Sequence, residues 1–218
     1  MPVVVKIDPR RPEKKIIENA ALVIRRGGLV VFPTETFYGL GANALDGRAV
    51  KKIFRVKGRP ENKPLIVLIA NKKDLRRLAS YIPPVAYKLI NKFWPGPLTL
   101  IFKRKKIIPK EVTAGGSTIA IRLSSHPVAL ALVRAAGVPI TAPSANLSGR
   151  PPHQTIRGAL KELGKHKEIG LFLDGGTTPL GKPSTILDLT KKPPKILRTG
   201  SITKKELLRF IGSLFYPK

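Results

Sequence analysis

Four consecutive residues, Lys57-Gly58-Arg59-Pro60, with Lys63 and Pro64 just behind them, put three cations on one short stretch. Gly58 permits a tight exit from a helix and Pro60 fixes the backbone after it, so the stretch reads as a basic helix end opening into a loop. Taken singly, each cation of a Lys-rich chain reads as a solvated surface charge. Together they repel one another unless an anion sits among them. Apolar, Gly/Pro-punctuated segments flank the stretch, and a second polar loop, Ser144-Ala145-Asn146, lies far downstream. With Arg122 and Arg198 as further cations and Thr34, Thr36, Thr118 and Ser184 as hydrogen-bonding groups, the inventory suits a ligand holding a carboxylate and several phosphates. Guanidinium groups grip such anions bidentately, whereas lysine neutralises phosphate as a point charge.

Other chemistries lack their residues. No Gly-x-x-x-x-Gly-Lys-Ser/Thr loop occurs, and no Gly-x-Gly-x-x-Gly follows a strand, so neither usual phosphate grip is present. Ser144 has no Gly-x-Ser-x-Gly elbow and no evident histidine partner, which argues against a serine hydrolase. Glu35 carries two readings, a base or magnesium ligand on the one hand and a structural counter-ion on the other. The chain has no cysteine, and His126, His153 and His166 are scattered, so neither a metal site nor a transition-metal cofactor is expected.

Lys and Arg number 41 against 13 Asp and Glu, a net charge of +28. Such a field draws polyanions, so nucleotides, phosphate or nucleic acid are the natural partners. The start Met1-Pro2-Val3-Val4-Val5-Lys6 is unlike a signal peptide, and no apolar run approaches the roughly 20 residues of a membrane span. A cytoplasmic protein with no membrane partner is expected.

The elements that must position these residues follow from periodicity. Ile16, Ile17, Ala20, Ala21 and Ile24 recur at helical spacing, with Pro12 at the first turn and Gly27-Gly28 as the stop. Leu29 to Phe32 is an apolar run of strand length, and the loop after it is expected to extend from Pro33 to Gly41. Asp46 is a candidate cap for a helix through Ile53 and Phe54 that ends at Gly58 and delivers Lys57 and Arg59. Strands are expected over Leu65–Ala70, Leu98–Phe102, Thr118–Leu123, Gly170–Leu173, Thr185–Leu189 and Lys195–Arg198. Helices are expected around Leu75–Ala79, Val85–Phe93, Val128–Ala136 and Ile156–Leu163. Thr203 and Glu206 form a capping box for a last amphipathic helix carrying Leu207, Ile211 and Leu214. The alternation predicts one α/β domain over residues 1–218, a twisted open mixed sheet with flanking helices, ending in a helical tail from about 203 to 218. In such sheets ligands collect where strand-end loops meet.

Four motifs in register, Phe32-Pro33-Thr34-Glu35-Thr36-Phe37-Tyr38-Gly39-Leu40, Lys57-Gly58-Arg59-Pro60, Trp94-Pro95-Gly96-Pro97-Leu98-Thr99 and Pro143-Ser144-Ala145-Asn146-Leu147-Ser148-Gly149, resemble the YrdC/Sua5 family from about Ile16 to Arg198. The resemblance implies a YrdC-like fold with a concave basic face. It also implies a nucleotidyltransferase that makes L-threonylcarbamoyladenylate from L-threonine, bicarbonate and ATP, with Mg²⁺ accompanying ATP and pyrophosphate released. The product would serve t6A37 modification of tRNA, through a downstream threonylcarbamoyl transferase.

Carried over position by position, the family's Lys-x-Arg and Ser-x-Asn signature falls on Lys57, Arg59, Ser144 and Asn146 as nucleotide-binding residues, with Lys57 and Arg59 catalytic. Lys63, Thr118 and Arg198 would also lie against ATP, and Thr36, Arg122 and Ser184 would hold threonine. Where some members carry histidine, this chain has Leu68, a departure in the threonine pocket. The short form, without the second domain of longer members, is expected. Two alternatives remain open: a non-catalytic binder of tRNA or double-stranded RNA, recognised by phosphate, 2′-hydroxyl and shape, and a carbamoyl-transfer relative. On the leading reading, Lys57→Ala abolishes turnover with thermal stability nearly unchanged.

Overall fold

The computed structural model describes residues 2–212. In chain order it contains β1 (Val4–Lys6), α1 (Lys14–Arg25), β2 (Leu29–Pro33), β3 (Tyr38–Gly41), α2 (Gly47–Lys57) and β4 (Ile66–Leu68). There follow α3 (Leu75–Leu78, behind a 3₁₀ turn), α4 (Pro84–Phe93), β5 (Leu98–Lys103), α5 (Lys110–Thr113), β6 (Thr118–Arg122), α6 (Pro127–Ala136) and β7 (Ile140–Thr141). The remainder is α7 (Ile156–Leu163), β8 (Ile169–Asp174), β9 (Thr185–Asp188), β10 (Lys195–Arg198) and α8 (Lys204–Leu208).

The strands form two ladders instead of the single sheet expected. One has the order β1-β8-β2-β3 and the other β10-β9-β5-β6-β4-β7. Both are mixed: β2 runs parallel to β8 but antiparallel to β3, and β5 runs parallel to β9 but antiparallel to β6. They meet at β3 and β7, where the bridges Gly39 with Ser144 and Asn43 with Ile140 and hydrogen bonds such as Leu40 N to Pro143 O and Thr141 N to Ala42 O join them. The amphipathic pattern of α1 is realised, with Ile17, Ala20, Ala21 and Ile24 buried beside α6 residues Val128, Leu132 and Val133. A larger core lies between the second ladder and α2 and α4, centred on Ile53, Leu89, Leu100 and Ile121.

The loop expected from Pro33 to Gly41 is shorter, because Tyr38–Gly41 is β3, paired along its length with β2. Gly39 and Gly41 give this segment the look of a loop, yet they are there to admit Phe32. A Cβ on Gly41 would stand 2.8 Å from both the Phe32 ring and Ile140. Asp46 caps α2 as expected, accepting from the amides of Arg48 and Ala49 at 2.9 and 3.3 Å, and Gly58 ends the helix in the left-handed region at φ 56°. Thr203 and Glu206 form the capping box of α8, a helix that ends at Leu208. Leu207 and Ile211 are buried, while Leu214 and the rest of the expected tail lie outside the described residues. The short helix α5 carries no usable periodicity and was not anticipated.

Candidate active site

A cleft of about 200 Å³ opens on one face of the second ladder, where loops from both ladders converge. Its walls bring together Thr36, Arg59, Arg122, Ser144, Ser184 and Arg198. Strand register explains much of this: Arg122 at the end of β6 pairs with Leu68 of β4, and Arg198 of β10 stands opposite Ile186 of β9.

Arg122 is 5% exposed and held from three sides. Its Nε donates to Gly96 O at 3.3 Å, one terminal nitrogen donates to Thr36 Oγ1 at 3.2 Å, and the other pairs with Glu35 at 2.6 Å. Guanidinium carries five N–H donors, so these contacts do not use all of them. The Gly96 carbonyl is fixed by the Trp-Pro-Gly-Pro turn, where Trp94 Nε1 donates to Leu98 O at 2.7 Å and Gly96 N donates to Leu123 O at 2.8 Å. Glu35, 5% exposed, also accepts from Ser124 Oγ and from the Ser125 amide. Burial alone would push its carboxyl up, but the charge and hydrogen bonds of Arg122, with those of Ser124, hold it below the usual carboxylate range. Of its two readings, the counter-ion is the one this geometry realises. Its Oε2 meets Arg122 and Ser124, and its Oε1 accepts from Ser125 N.

Lys57 departs from the picture of a phosphate-facing charge. It is 2% exposed and does not line the cleft. Its Nζ donates to the carbonyls of Ser144 and Asn146, while its own carbonyl accepts from Ser148 N at 2.7 Å. The lysine therefore ties the end of α2 to the 143–149 loop. Burial, reinforced by the charge of Arg59 and opposed by Glu162, lowers its pKa from 10.5 to about 7. A neutral amine keeps two N–H groups, enough for both carbonyls, so the tie survives loss of the third proton. From the other side, Glu162 of α7 accepts from Leu147 N at 2.6 Å. Ala145 N donates to Tyr38 O at 2.7 Å, completing a loop held from three directions.

Arg59 is half-buried, its Nε and one terminal nitrogen donating to Lys63 O and Pro64 O at 3.2 and 3.0 Å. Arg198 sits on the rim and is aimed by Ser184, whose carbonyl and hydroxyl accept from it at 3.0 and 2.9 Å. Ser184 Oγ also lies 2.9 Å from Thr99 Oγ1.

The remaining expected residues stand apart from the cleft wall. Asn146 is 5% exposed, with Nδ2 donating to Leu147 O and Arg150 O and Oδ1 lacking a partner among the described residues. Lys63 is exposed beyond Arg59. Thr118 begins β6, four residues from Arg122 and hence about 13 Å along the strand. Leu68 is packed in the core cluster that includes Phe32 and Ile140 and does not line the cleft.

Sequence reasoning did not find Glu162, Ser124 or Thr99 as supports of the site. Only Thr99 carried a signal, as the end of the Trp-Pro-Gly-Pro-Leu-Thr motif. Among the described residues no three His, Cys, Asp or Glu side chains cluster as metal ligands, and no helix is long and apolar enough to cross a membrane.

The family model Sua5/YciO/YrdC, described as "Telomere recombination", matches residues 22–200. A Pyrococcus abyssi protein named threonylcarbamoyl-AMP synthase is 44% identical over 214 residues, 98% of this chain and 62% of its own length. One of the same name from Bacillus subtilis is 46% identical over 203 residues, 93% of this chain and 58% of its own. The crystal structure of P. abyssi Sua5 complexed with L-threonine matches with a TM-score of 0.95 at 43% identity, covering 99% of this chain and 62% of that one. The chain thus spans 58–62% of the length of these relatives. With the motifs in order, the cleft at the loops that carry them, and both sequence and fold matching across nearly the whole chain, this chain belongs to the Sua5/YciO/YrdC family.

Proposed function

We propose that this chain forms L-threonylcarbamoyladenylate from L-threonine, bicarbonate and ATP, as an intermediate for threonylcarbamoylation of tRNA by a separate transferase. The observation that carries the reading is the cleft itself, in which three guanidinium groups, Arg59, Arg122 and Arg198, face one space with Thr36, Ser144 and Ser184 between them. Two relatives named for this synthase, and a threonine-bound neighbour of the same fold, support it.

The Arg122 guanidinium suits the carboxylate of threonine, with Thr36 beside it for its polar groups. Arg59, Ser144 and Arg198, which line the same cleft, suit the phosphates. The threonine amine adds to bicarbonate with loss of water, giving a carbamate. A carbamate oxygen then attacks the α-phosphorus, forming the mixed anhydride and expelling pyrophosphate. No side chain is needed as a covalent nucleophile: alignment and neutralisation of the phosphates by fixed cations supply the acceleration. Magnesium enters as part of the ATP substrate. Glu35, paired with Arg122 and Ser124, is assigned the role of counter-ion to Arg122.

Incubating the protein with ATP, bicarbonate and L-threonine, and measuring pyrophosphate together with the threonine-dependent adenylate by mass spectrometry, tests the proposal. Product is expected with L-threonine. Pyrophosphate release that ignores threonine, or no adenylate at all, overturns it.

A further inference from the structure

At the opposite end of β5 from the cleft lies a second groove, of about 270 Å³, lined among others by Tyr81, Pro83, Phe102, Lys103, Lys191 and Lys192. It is built by backbone pairing. Ser80 N donates to Lys103 O at 2.9 Å and Ala79 bridges Arg104, which sets Tyr81 beside the end of β5. Leu189 N donates to Ile101 O at 3.1 Å, which lays the β9–β10 turn with Lys191 and Lys192 along the other side. Tyr81 is 62% exposed, and all three lysines are exposed. No Asp or Glu lines the groove. The carboxylate closest in sequence to its lysines, Asp188, is turned onto Thr190, accepting from its amide and hydroxyl at 2.8 and 2.6 Å. Within the run Lys103-Arg104-Lys105-Lys106, Arg104 is structural, its guanidinium donating to Gly116 O and Ile108 O.

A solvent-facing aromatic ring beside unneutralised lysines is the combination that single-stranded nucleic acid requires: a π-face for a base and cations for the flanking phosphates. We propose that this groove binds single-stranded RNA, one base stacking on Tyr81 and the neighbouring phosphates meeting Lys103, Lys191 and Lys192. A double helix keeps its bases stacked inside and is recognised over a broad surface, so it cannot use Tyr81 in this way. The proposal is independent of the adenylate-forming reading, since none of these residues lines the cleft.

The test is fluorescence anisotropy with a labelled eight-nucleotide RNA and with the corresponding duplex, over a salt series. For the wild-type protein, three phosphate contacts on a single strand predict a log–log salt slope near −2, at roughly 0.7 per contact. Tyr81→Ala is expected to weaken the single strand about 5- to 150-fold, and Tyr81→Phe to retain binding. Lys191→Ala with Lys192→Ala is expected to reduce the slope by about 1.4. Because these side chains are exposed, melting temperature and adenylate formation should not change. Single-strand binding indifferent to Tyr81, duplex binding that falls with Tyr81→Ala as much as single-strand binding does, or no single-strand binding at low salt each overturns the proposal. So does Tyr81-dependent capture of an acidic peptide in place of RNA.

Discussion

Replacing Lys57 with methionine keeps the length of the side chain and removes both hydrogen bonds to the 143–149 loop. The carbonyls of Ser144 and Asn146 then lose their shared donor, Nζ, the first beside the cleft and part-buried, the second buried. A buried acceptor left unpaired costs about 1–3 kcal/mol, which the Asn146 carbonyl incurs in full and the Ser144 carbonyl only in part, before any offset from burying the thioether. This reverses the expectation of a variant that loses turnover but not stability, which rests on a lysine facing the phosphates. The pH dependence has a definite sign. Lys57 has its pKa lowered from 10.5 to about 7 on folding, so between those values the unfolded chain binds the extra proton. Its contribution is therefore fully present above 10.5 and is lost as pH falls through 7, with a slope of at most about 1.4 kcal/mol per unit. Urea unfolding of wild type and Lys57→Met in parallel at pH 7, 8, 9 and 10 should show the gap between them widening as pH rises. A variant as stable as wild type at pH 9, or a gap that narrows, refutes both the burial of this amine and its role as a tie.

Glu35→Gln keeps the shape of the side chain but leaves the Arg122 charge without its counter-ion, at a cost of about 3–5 kcal/mol. At about 2–4 °C per kcal/mol for a chain of this size, the melting temperature should fall by roughly 6–20 °C. Because the Glu35 pKa is lowered on folding, its contribution holds above the normal carboxylate range and disappears as pH falls through the folded value, so the wild-type advantage should shrink in acid. An unchanged melting curve would sink the ion pair. Gly200→Ala would bring a Cβ within 2.2 Å of Pro183 O and 2.6 Å of Ser184 C, moving the segment that aims Arg198. Overpacking of this kind costs about 1–3 kcal/mol, and KM for ATP or threonine should rise with it. Wild-type stability and KM would show that the close approach is not real.

What local chemistry decides was legible. The Asp46 cap, the Gly58 exit and the Thr203–Glu206 box each depend on residues a few positions apart, and all three occur as read. The alternation of helices and strands was also visible, because apolar spacing reports directly on burial. The departures come from distance and context. Glu35 meets Arg122 across most of the first half of the chain, and no local pattern marks that pairing. The sequence suggests a phosphate-facing Lys57 because cations cluster there, whereas Ser144 and Asn146 turn their carbonyls inward to receive it. The glycines of β3 looked like loop because nothing local says that Phe32 will fill the space they leave. Lys63 and Thr118 share the chain neighbourhood of the site but not its wall, a difference that strand length and exposure decide.

The cleft draws Thr36, Arg59, Arg122, Ser144, Ser184 and Arg198 from segments spread across most of the described chain. No contiguous fragment carries more than a corner of it, so affinity for the ligand is a property of the completed fold. Occupancy in turn adds a further brace between segments that the protein joins through the Arg122–Glu35 pair and the contacts of β3 with β7. A ligand at one hundred times its Kd deepens the native well by about 2.7 kcal/mol, and it does so for the entire molecule at once. Recognition here is a cross-link without a covalent bond, made and undone with each turnover.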